Sequence, residues 1–214
     1  MLNFTDLTGL AGSASIIAAS ALRLPSVKRL HQPHLAMLLG AIFVYAMLPI
    51  SGLSLAAYLR GGIGDVSITT FLLLCSVLVK PWWPCMEPGS KNRFALFGMI
   101  GLAALALYPM ALGLGAYDPY RLGYGNATFV TTVLLITLTA WYWKIYWVAL
   151  CLACATLAWA IGWYESTNLW DYLLDPFVSS YAFAVIALPG GKGLLKLRQS
   201  KLHSVALTSR ARRA

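Results

Sequence analysis

Residues 127–163 read ATFVTTVLLITLTAWYWKIYWVALCLACATLAWAIGW, and Lys144 is the single charged residue among them. As one helix this stretch would measure roughly 55 Å at about 1.5 Å per residue, whereas the hydrocarbon core of a bilayer is about 30 Å thick. The stretch therefore predicts two membrane-crossing helices, 127–143 and 145–163, joined by a tight turn in the aromatic cluster around Lys144.

The rest of the chain has the same character. Its 214 residues are 59% hydrophobic and 11% charged, with a mean hydropathy of +0.71. A water-soluble domain of this size cannot bury so much apolar surface, so we expect an all-α, polytopic integral membrane helix bundle of about seven transmembrane helices (range about 6–8). The seven apolar runs are 7–22, 35–59, 66–79, 94–116, 127–143, 145–163 and 170–188.

The distribution of charge predicts the orientation of this bundle. Lys and Arg collect in the cytoplasmic connections of membrane proteins. If the C-terminus is cytoplasmic, every Lys and Arg except Arg60 and Arg121 lies on the cytoplasmic side. We therefore expect the N-terminus outside and the C-terminus in the cytoplasm. The short connections and the basic tail favour the cytoplasmic (inner) membrane of a bacterium.

The chain divides into a transmembrane bundle, residues 1–190, and a basic cytoplasmic tail, residues 191–214. The tail carries Lys and Arg but no acidic residue, which predicts binding to anionic lipid headgroups at about 1 kcal/mol per basic residue. Topology alone explains this charge, so we expect no nucleic-acid partner. Small residues four apart on the helices, such as Ala158 and Gly162, favour close packing with other membrane proteins.

Three of the seven carboxylates lie in residues 163–177, WYESTNLWDYLLDPF. In the predicted topology six of the seven carboxylates are external or just inside the external boundary, where the positive ends of alternate helix dipoles point. Asn168 and Asp171 form a predicted capping pair, and Asp175 followed by Pro176 is typical of a helix start. The first interpretation is therefore that these acids cap helices, with a shorter membrane helix beginning at Pro176.

A second interpretation of the same acids stays open. Asp171 and Asp175 are four residues apart and would share a helix face. Carboxylates inside a membrane are costly and often functional. The candidate external polar site therefore comprises Asp65, Glu165, Asp171 and Asp175, which would bind a proton, a cation or a basic partner.

Residues 61–66, GGIGDV, contain a G-x-G-D pattern that resembles the second catalytic motif of the prepilin-peptidase and presenilin class of intramembrane aspartyl proteases. The resemblance covers these residues and implies a second aspartate on an earlier helix, one aspartate activating water while the other donates a proton. Asp6 is the only aspartate that precedes Asp65, and it lacks a matching context. We therefore predict no catalytic residue. The His and Cys residues do not have a recognised metal-ligand spacing, and the last apolar run has no lysine that could attach a cofactor, so we also predict no cofactor and no metal site.

Most of the chain is used in crossing the bilayer, and no connection is long enough for a soluble catalytic domain. This favours a non-catalytic membrane subunit that packs with partner proteins in an envelope-assembly or transport complex. One alternative is a small proton- or cation-coupled transporter that uses the external carboxylates. Another is a lipid-modifying membrane enzyme that uses the same carboxylates with Arg60 and Arg121.

Overall fold

The structure of the protein is a computed structural model that describes residues 3–50 and 52–187. Within these residues the regular structure is helical and includes no β-strand, which confirms the all-α class. The basic tail, residues 191–214, lies outside the described residues. The α-helices are α1 (Phe4–Ala21), α2 (Pro25–Lys28), α3 (Gln32–Met47), α4 (Leu55–Ile63), α5 (Ile68–Val79), α6 (Ser90–Ala111), α7 (Ala127–Tyr142), α8 (Tyr146–Ala160), α9 (Leu169–Leu173) and α10 (Pro176–Ala187). Two short 3₁₀ helices are Pro84–Met86 and Pro119–Gly123.

The lengths of the helices support fewer membrane spans than the apolar runs predict. Among the described residues one helical stretch, Pro84–Ala111, is long and apolar enough by itself to cross a bilayer. The helices α3, α5, α7, α8 and α10 are apolar but have only 10–17 residues each. Length and composition therefore support one membrane span in the described part of the chain.

The turn predicted at Lys144 is confirmed. Lys144 adopts a positive φ of 59° between α7 and α8. Its N–H donates to the carbonyl of Trp141 at 3.0 Å, and the N–H of Ile145 donates to the carbonyl of Ala140 at 2.8 Å. These two bonds satisfy the last carbonyls of α7 in a Schellman motif. Residues 127–163 are consequently an antiparallel helical hairpin.

Two of the apolar runs are interrupted. Run 35–59 is not one helix, because α3 ends at Met47 ahead of Pro49, and α4 begins only after Ser54 accepts a hydrogen bond from the N–H of Ala57 at 3.0 Å. Run 170–188 is also divided, since Leu174 is extended between α9 and α10. The helix start predicted at Pro176 is confirmed.

The connections between helices collect at two opposite ends of the bundle. At one end, which we call the acidic end, Arg60 of α4 bonds to Asp6 of α1. At the other, which we call the basic end, the Nζ of Lys91 donates to the carbonyl of Trp143 at 3.0 Å. The carboxylates of the acidic end are Asp6, Asp65, Asp118, Glu165, Asp171 and Asp175. The segments that the charge pattern places on the same side are therefore neighbours in space.

The helices pack around two groups of buried side chains. The larger core surrounds α8, whose Cys151 and Ala155 are fully buried and which contacts α5, α6, α7 and α9. A smaller core joins α1 to α3 and α4 through small residues such as Ala14 and Ala46. Small side chains let helix backbones approach closely, which suits α1 to its position between α3, α4 and α5.

Candidate functional site

The guanidinium group of Arg60 links three segments of the acidic end. Gly64, with a φ of +76°, ends α4 and turns the chain so that Asp65 lies beside Arg60. The Nε of Arg60 is 2.6 Å from Oδ1 of Asp65 and its NH2 is 3.1 Å from Oδ2, a bidentate pair. The same guanidinium is 3.1 Å from Asp6 and 3.7 Å from Glu165. One cation thus compensates carboxylates from three parts of the chain.

This ion pair lies directly against the backbone of α1 at Gly9. A Cβ atom at Gly9 would be 2.6 Å from the Nε of Arg60, closer than real Cβ atoms come to a neighbour. The close approach therefore requires glycine at this position. No spacing in the sequence singles out Gly9, because its close contact with Arg60 arises from the packing of α1 against α4.

Asp6 and Asp65 do not form the proton-sharing pair of an aspartyl protease. Asp6 lies half-buried in the first turn of α1, where its carboxylate accepts from the N–H of Asn3 at 3.1 Å and pairs with Arg60 at 3.1 Å. A protease dyad needs one of its two carboxyl groups protonated. Here an arginine lies between the two aspartates and favours the charged form of Asp6.

Asp175 is buried, with 5% of its surface exposed, and all its hydrogen bonds go to helix starts. Its Oδ1 accepts from the N–H groups of Phe177 and Val178 at 2.8 Å each, which caps α10. Its Oδ2 accepts from the N–H of Ser67 at 2.9 Å, from the Ser67 hydroxyl at 2.7 Å and from the Thr70 hydroxyl. One carboxylate thereby joins the N-termini of α5 and α10, where both helix dipoles favour a negative charge.

Asp171 has different partners. The hydroxyl of Tyr120 is 3.0 Å from both of its oxygens, and the hydroxyl of Ser166 donates to Oδ2 at 2.5 Å. Asn168 caps α9 by accepting from the N–H of Trp170 at 3.0 Å, so the cap predicted at Asn168 is present. Asp171 does not complete a capping box, because its side chain turns to Tyr120 instead. Among the described residues no Lys, Arg or His lies within ion-pair distance of Asp171.

Tyr120 is held in place by a latch between the 3₁₀ helix Pro119–Gly123 and α9. The fully buried Asn168 donates from Nδ2 to the Tyr120 carbonyl at 2.9 Å. The indole N–H of Trp170 donates to the Pro119 carbonyl at 3.0 Å. A Cβ atom at Gly123 would be 2.7 Å from Cγ of Asn168, so glycine is required there too. Burial and the neighbouring Asp171 carboxylate raise the pKa of the Tyr120 hydroxyl, which therefore stays a proton donor at neutral pH.

These groups surround a cavity of about 510 Å³ at the acidic end. Its volume is within the range of about 300–1,000 Å³ that is usual for small-molecule sites. Three of the four predicted site residues line it, whereas Glu165 lies at the edge of the Arg60 network with 62% of its side chain exposed. The polar and aromatic part of the wall comprises Asp65, Tyr108, Tyr120, Tyr164, Ser166, Trp170, Asp171 and Asp175.

The chemistry available in the cavity is that of carboxylates and hydroxyl groups. Among residues 3–50 and 52–187, no group of three or more His, Cys, Asp or Glu side chains could hold a metal ion. The acidic end combines six carboxylates with only two arginines, Arg60 and Arg121. A cavity in such surroundings favours positively charged ligands over neutral or negative ones.

Sequence reasoning missed the hydrogen-bond donors of the site. Neither Ser67 nor Tyr120 was predicted to donate to these carboxylates, although a Ser immediately before an apolar run is a recognisable cap signal. Tyr120 has no such signal, because its partner lies 51 positions away. Comparison with known proteins finds no matching family model, no matching curated protein and no matching solved structure.

Proposed function

We propose that the protein is a polytopic membrane protein that binds a small organic cation in the cavity at the acidic end, as the first step of cation- or proton-coupled transport. The observation that carries this proposal is the carboxylate of Asp171, which faces a 510 Å³ cavity and has no cationic partner in the described part of the chain. A positively charged ligand would supply the missing countercharge.

Asp171 and Asp175 differ in the number of hydrogen bonds that they already accept from the protein. This difference favours Asp171 as the group that binds a ligand. An ionised carboxylate offers about four acceptor positions. Asp175 receives five donor groups from the protein itself, whereas Asp171 receives only the hydroxyls of Tyr120 and Ser166. Asp171 therefore has acceptor capacity left for the N–H groups of an ammonium ligand.

The aromatic residues of the wall suit the same ligand. Tyr120 and Trp170 line the cavity with Asp171, and Tyr108 lines it as well. A cation within about 6 Å of an aromatic face gains about 0.5–1 kcal/mol at an exposed site and about 2 kcal/mol or more when water is excluded. Aromatic rings combined with one carboxylate favour an organic ammonium over a strongly hydrated metal ion.

Transport, beyond binding, is supported by a second cavity at the basic end. Thr70 lines that cavity, while Asp175 lines the cavity at the acidic end. The hydrogen bond from Thr70 to Asp175 therefore lies between the two cavities. A carrier needs a barrier of this kind, which opens to one side at a time.

The proposed topology has seven spans, α1, α3, α5, α6, α7, α8 and α10, with the N-terminus outside and the C-terminus in the cytoplasm of a bacterial cell. The alternation of acidic and basic ends supports this arrangement. The surface of α7 supports it too, since Leu134, Leu135 and Leu138 are each more than half exposed. Soluble proteins rarely expose such a contiguous apolar patch, and lipid would cover it here.

The test is uptake of labelled methylammonium, choline and putrescine by liposomes that contain the full chain. We expect uptake of at least one of these cations above that of empty liposomes. Asp171→Asn should lower it by about 10- to 100-fold, the effect of losing one hydrogen bond to a charged group worth about 1.5–3 kcal/mol. Asp118→Asn is the matched control, because Asp118 lies at the same end but does not line the cavity. Equal loss in both variants, or no uptake of any cation, would refute the proposal.

The partner-packing subunit expected from the sequence is a second candidate. It is favoured by α7, of which only Val133 and Ala140 are buried. A gentle-detergent pull-down of the full chain that returned one defined membrane protein, lost on replacing Leu134 and Leu138 by Ala, would favour the subunit over the carrier. The lipid-modifying enzyme stays a prediction that nothing in the site specifically favours.

A further inference from the structure

The cavity at the basic end has a volume of about 250 Å³ and lies between α5, α6 and α10. Its wall is apolar where α5 contributes Leu73, Leu74 and Val77 and where α6 contributes Phe97. Since Thr70 also lines it, the cavity follows α5 from residue 77 to residue 70, a distance of about 10 Å at about 1.5 Å per residue. It is thus an elongated apolar slot that runs from the basic end into the bundle.

The mouth of this slot is positively charged. Arg23, Glu87 and Arg93 all line it, but Glu87 is paired with Lys80 at 2.6 Å. Arg93 has the hydroxyl of Tyr181 at 3.4 Å. Within the described residues neither arginine has a carboxylate at ion-pair distance. Two uncompensated guanidinium groups therefore lie at the opening of an apolar cavity.

We propose that this slot binds one anionic phospholipid, with the phosphate between Arg23 and Arg93 and one acyl chain along α5. Guanidinium groups bind phosphate through paired, charge-assisted hydrogen bonds, which a lysine cannot reproduce. The apolar wall beyond them fits a hydrocarbon chain and would not fit a free inorganic anion. The inference rests on the proposed membrane placement, and it does not require that a cation is transported.

The membrane itself supplies such a ligand at the required depth. In the proposed topology the basic end lies at the cytoplasmic leaflet, where anionic lipids are held by basic residues. The part of an acyl chain that lies in the slot would reach Thr70, below the hydrogen bond between Thr70 and Asp175. In this conformation the bound lipid would therefore fill the space on the cytoplasmic side of the Thr70–Asp175 hydrogen bond.

The test uses the full chain, purified in a mild detergent and analysed by native mass spectrometry. Phosphatidylglycerol, phosphatidylcholine and oleate are added at equal concentrations, so that an anionic phospholipid is compared with a zwitterionic one and with a free fatty acid. We expect one phosphatidylglycerol to be retained per chain in preference to both other lipids. Replacing Arg23 and Arg93 by Gln should lower its affinity by at least about tenfold, the loss expected for about 1.4 kcal/mol.

Two further variants separate a defined site from general attraction to a basic surface. Lys28→Gln with Arg29→Gln removes two charges from the same end without touching the slot, and phosphatidylglycerol binding should be retained. Val77→Trp adds a large side chain to the slot wall at a position that is 42% exposed, so the chain should fold while lipid binding is lost.

The proposal is overturned if phosphatidylcholine binds as tightly as phosphatidylglycerol, or if oleate displaces the phospholipid. It is also overturned if the Lys28 and Arg29 variant loses as much affinity as the Arg23 and Arg93 variant. If the arginine variant fails to fold, the lipid competition and Val77→Trp decide the matter. Retention of one phosphatidylglycerol by a chain that transports no cation would support this site while refuting the proposed function.

Discussion

Replacing Asp175 by Asn should destabilise the protein far more than the same change at Asp171. In Asp175→Asn, Oδ1 can still accept from the N–H groups of Phe177 and Val178, since Asn is as good a helix cap as Asp. The new amide then faces the N–H of Ser67, which is fixed by the backbone and cannot turn away. One buried N–H loses its acceptor, and the hydroxyl bonds to the former carboxylate lose their charge.

The structure gives the magnitude of this difference. A buried donor without an acceptor costs about 1–3 kcal/mol, and a hydrogen bond to a charged group is worth about 1.5–3 kcal/mol. We therefore expect Asp175→Asn to lower the free energy of unfolding by about 3–5 kcal/mol. Asp171 is half-buried and accepts only from the hydroxyls of Tyr120 and Ser166, which can rotate to meet an amide. For Asp171→Asn we expect a loss of about 1 kcal/mol or less.

Thermal unfolding in detergent, followed by tryptophan fluorescence at one scan rate, measures the difference. At about 2–4 °C per kcal/mol for a chain of this size, Asp175→Asn should lower Tm by roughly 10 °C and Asp171→Asn by only a few degrees. Thr70→Val completes a double-mutant cycle, and its effect should be smaller in the Asp175→Asn background because the two groups share one hydrogen bond. Equal Tm losses at positions 171 and 175 would refute the separation of their roles.

Three other changes test the close contacts and titrations of the acidic end. Gly9→Ala should lower Tm, because the added Cβ would displace the ion pair that lies against α1. Gly98→Ala is the control: its Cβ has no atom within 4 Å, so it should raise the stability of α6 by up to about 1 kcal/mol. Gly123→Ala should loosen the latch that holds α9 and lower Tm together with cation binding; unchanged binding would contradict the latch. The pKa of Tyr120 is raised in the folded state above its ordinary value of 10.0. The stability that the protonated hydroxyl contributes is therefore fully present below the unfolded-state pKa, and it is lost as the pH rises through the folded-state pKa. Tm measured between about pH 9 and 11 should therefore fall less steeply in Tyr120→Phe than in the exposed control Tyr117→Phe.

The parts of the fold that follow from local chemistry could be predicted from the sequence. The turn at Lys144 follows from the length of the apolar stretch, and the helix start at Pro176 follows from Asp-Pro. The break between α3 and α4 was missed although Pro49 signals it, because hydropathy summed over run 35–59 outweighs one proline. The partners of the carboxylates could not be predicted at all, since Ser67 and Asp175 are 108 positions apart and meet only through tertiary packing.

The spacing of Asp171 and Asp175 shows why local periodicity is a poor guide at this site. Four residues apart on one helix they would lie on one face and share one environment. The chain instead leaves the helical conformation at Leu174, because Pro176 disfavours the helical conformation at Asp175, the residue before it, and the carboxylate of Asp175 can cap a new helix. This break assigns each aspartate to a different helix. Asp175 is then fully occupied by the donors of α5 and α10, and Asp171 stays at the cavity wall with capacity to bind. A continuous helix through residues 169–187 would remove that division of roles, so the extended Leu174 is the structural condition for the proposed cation site at Asp171.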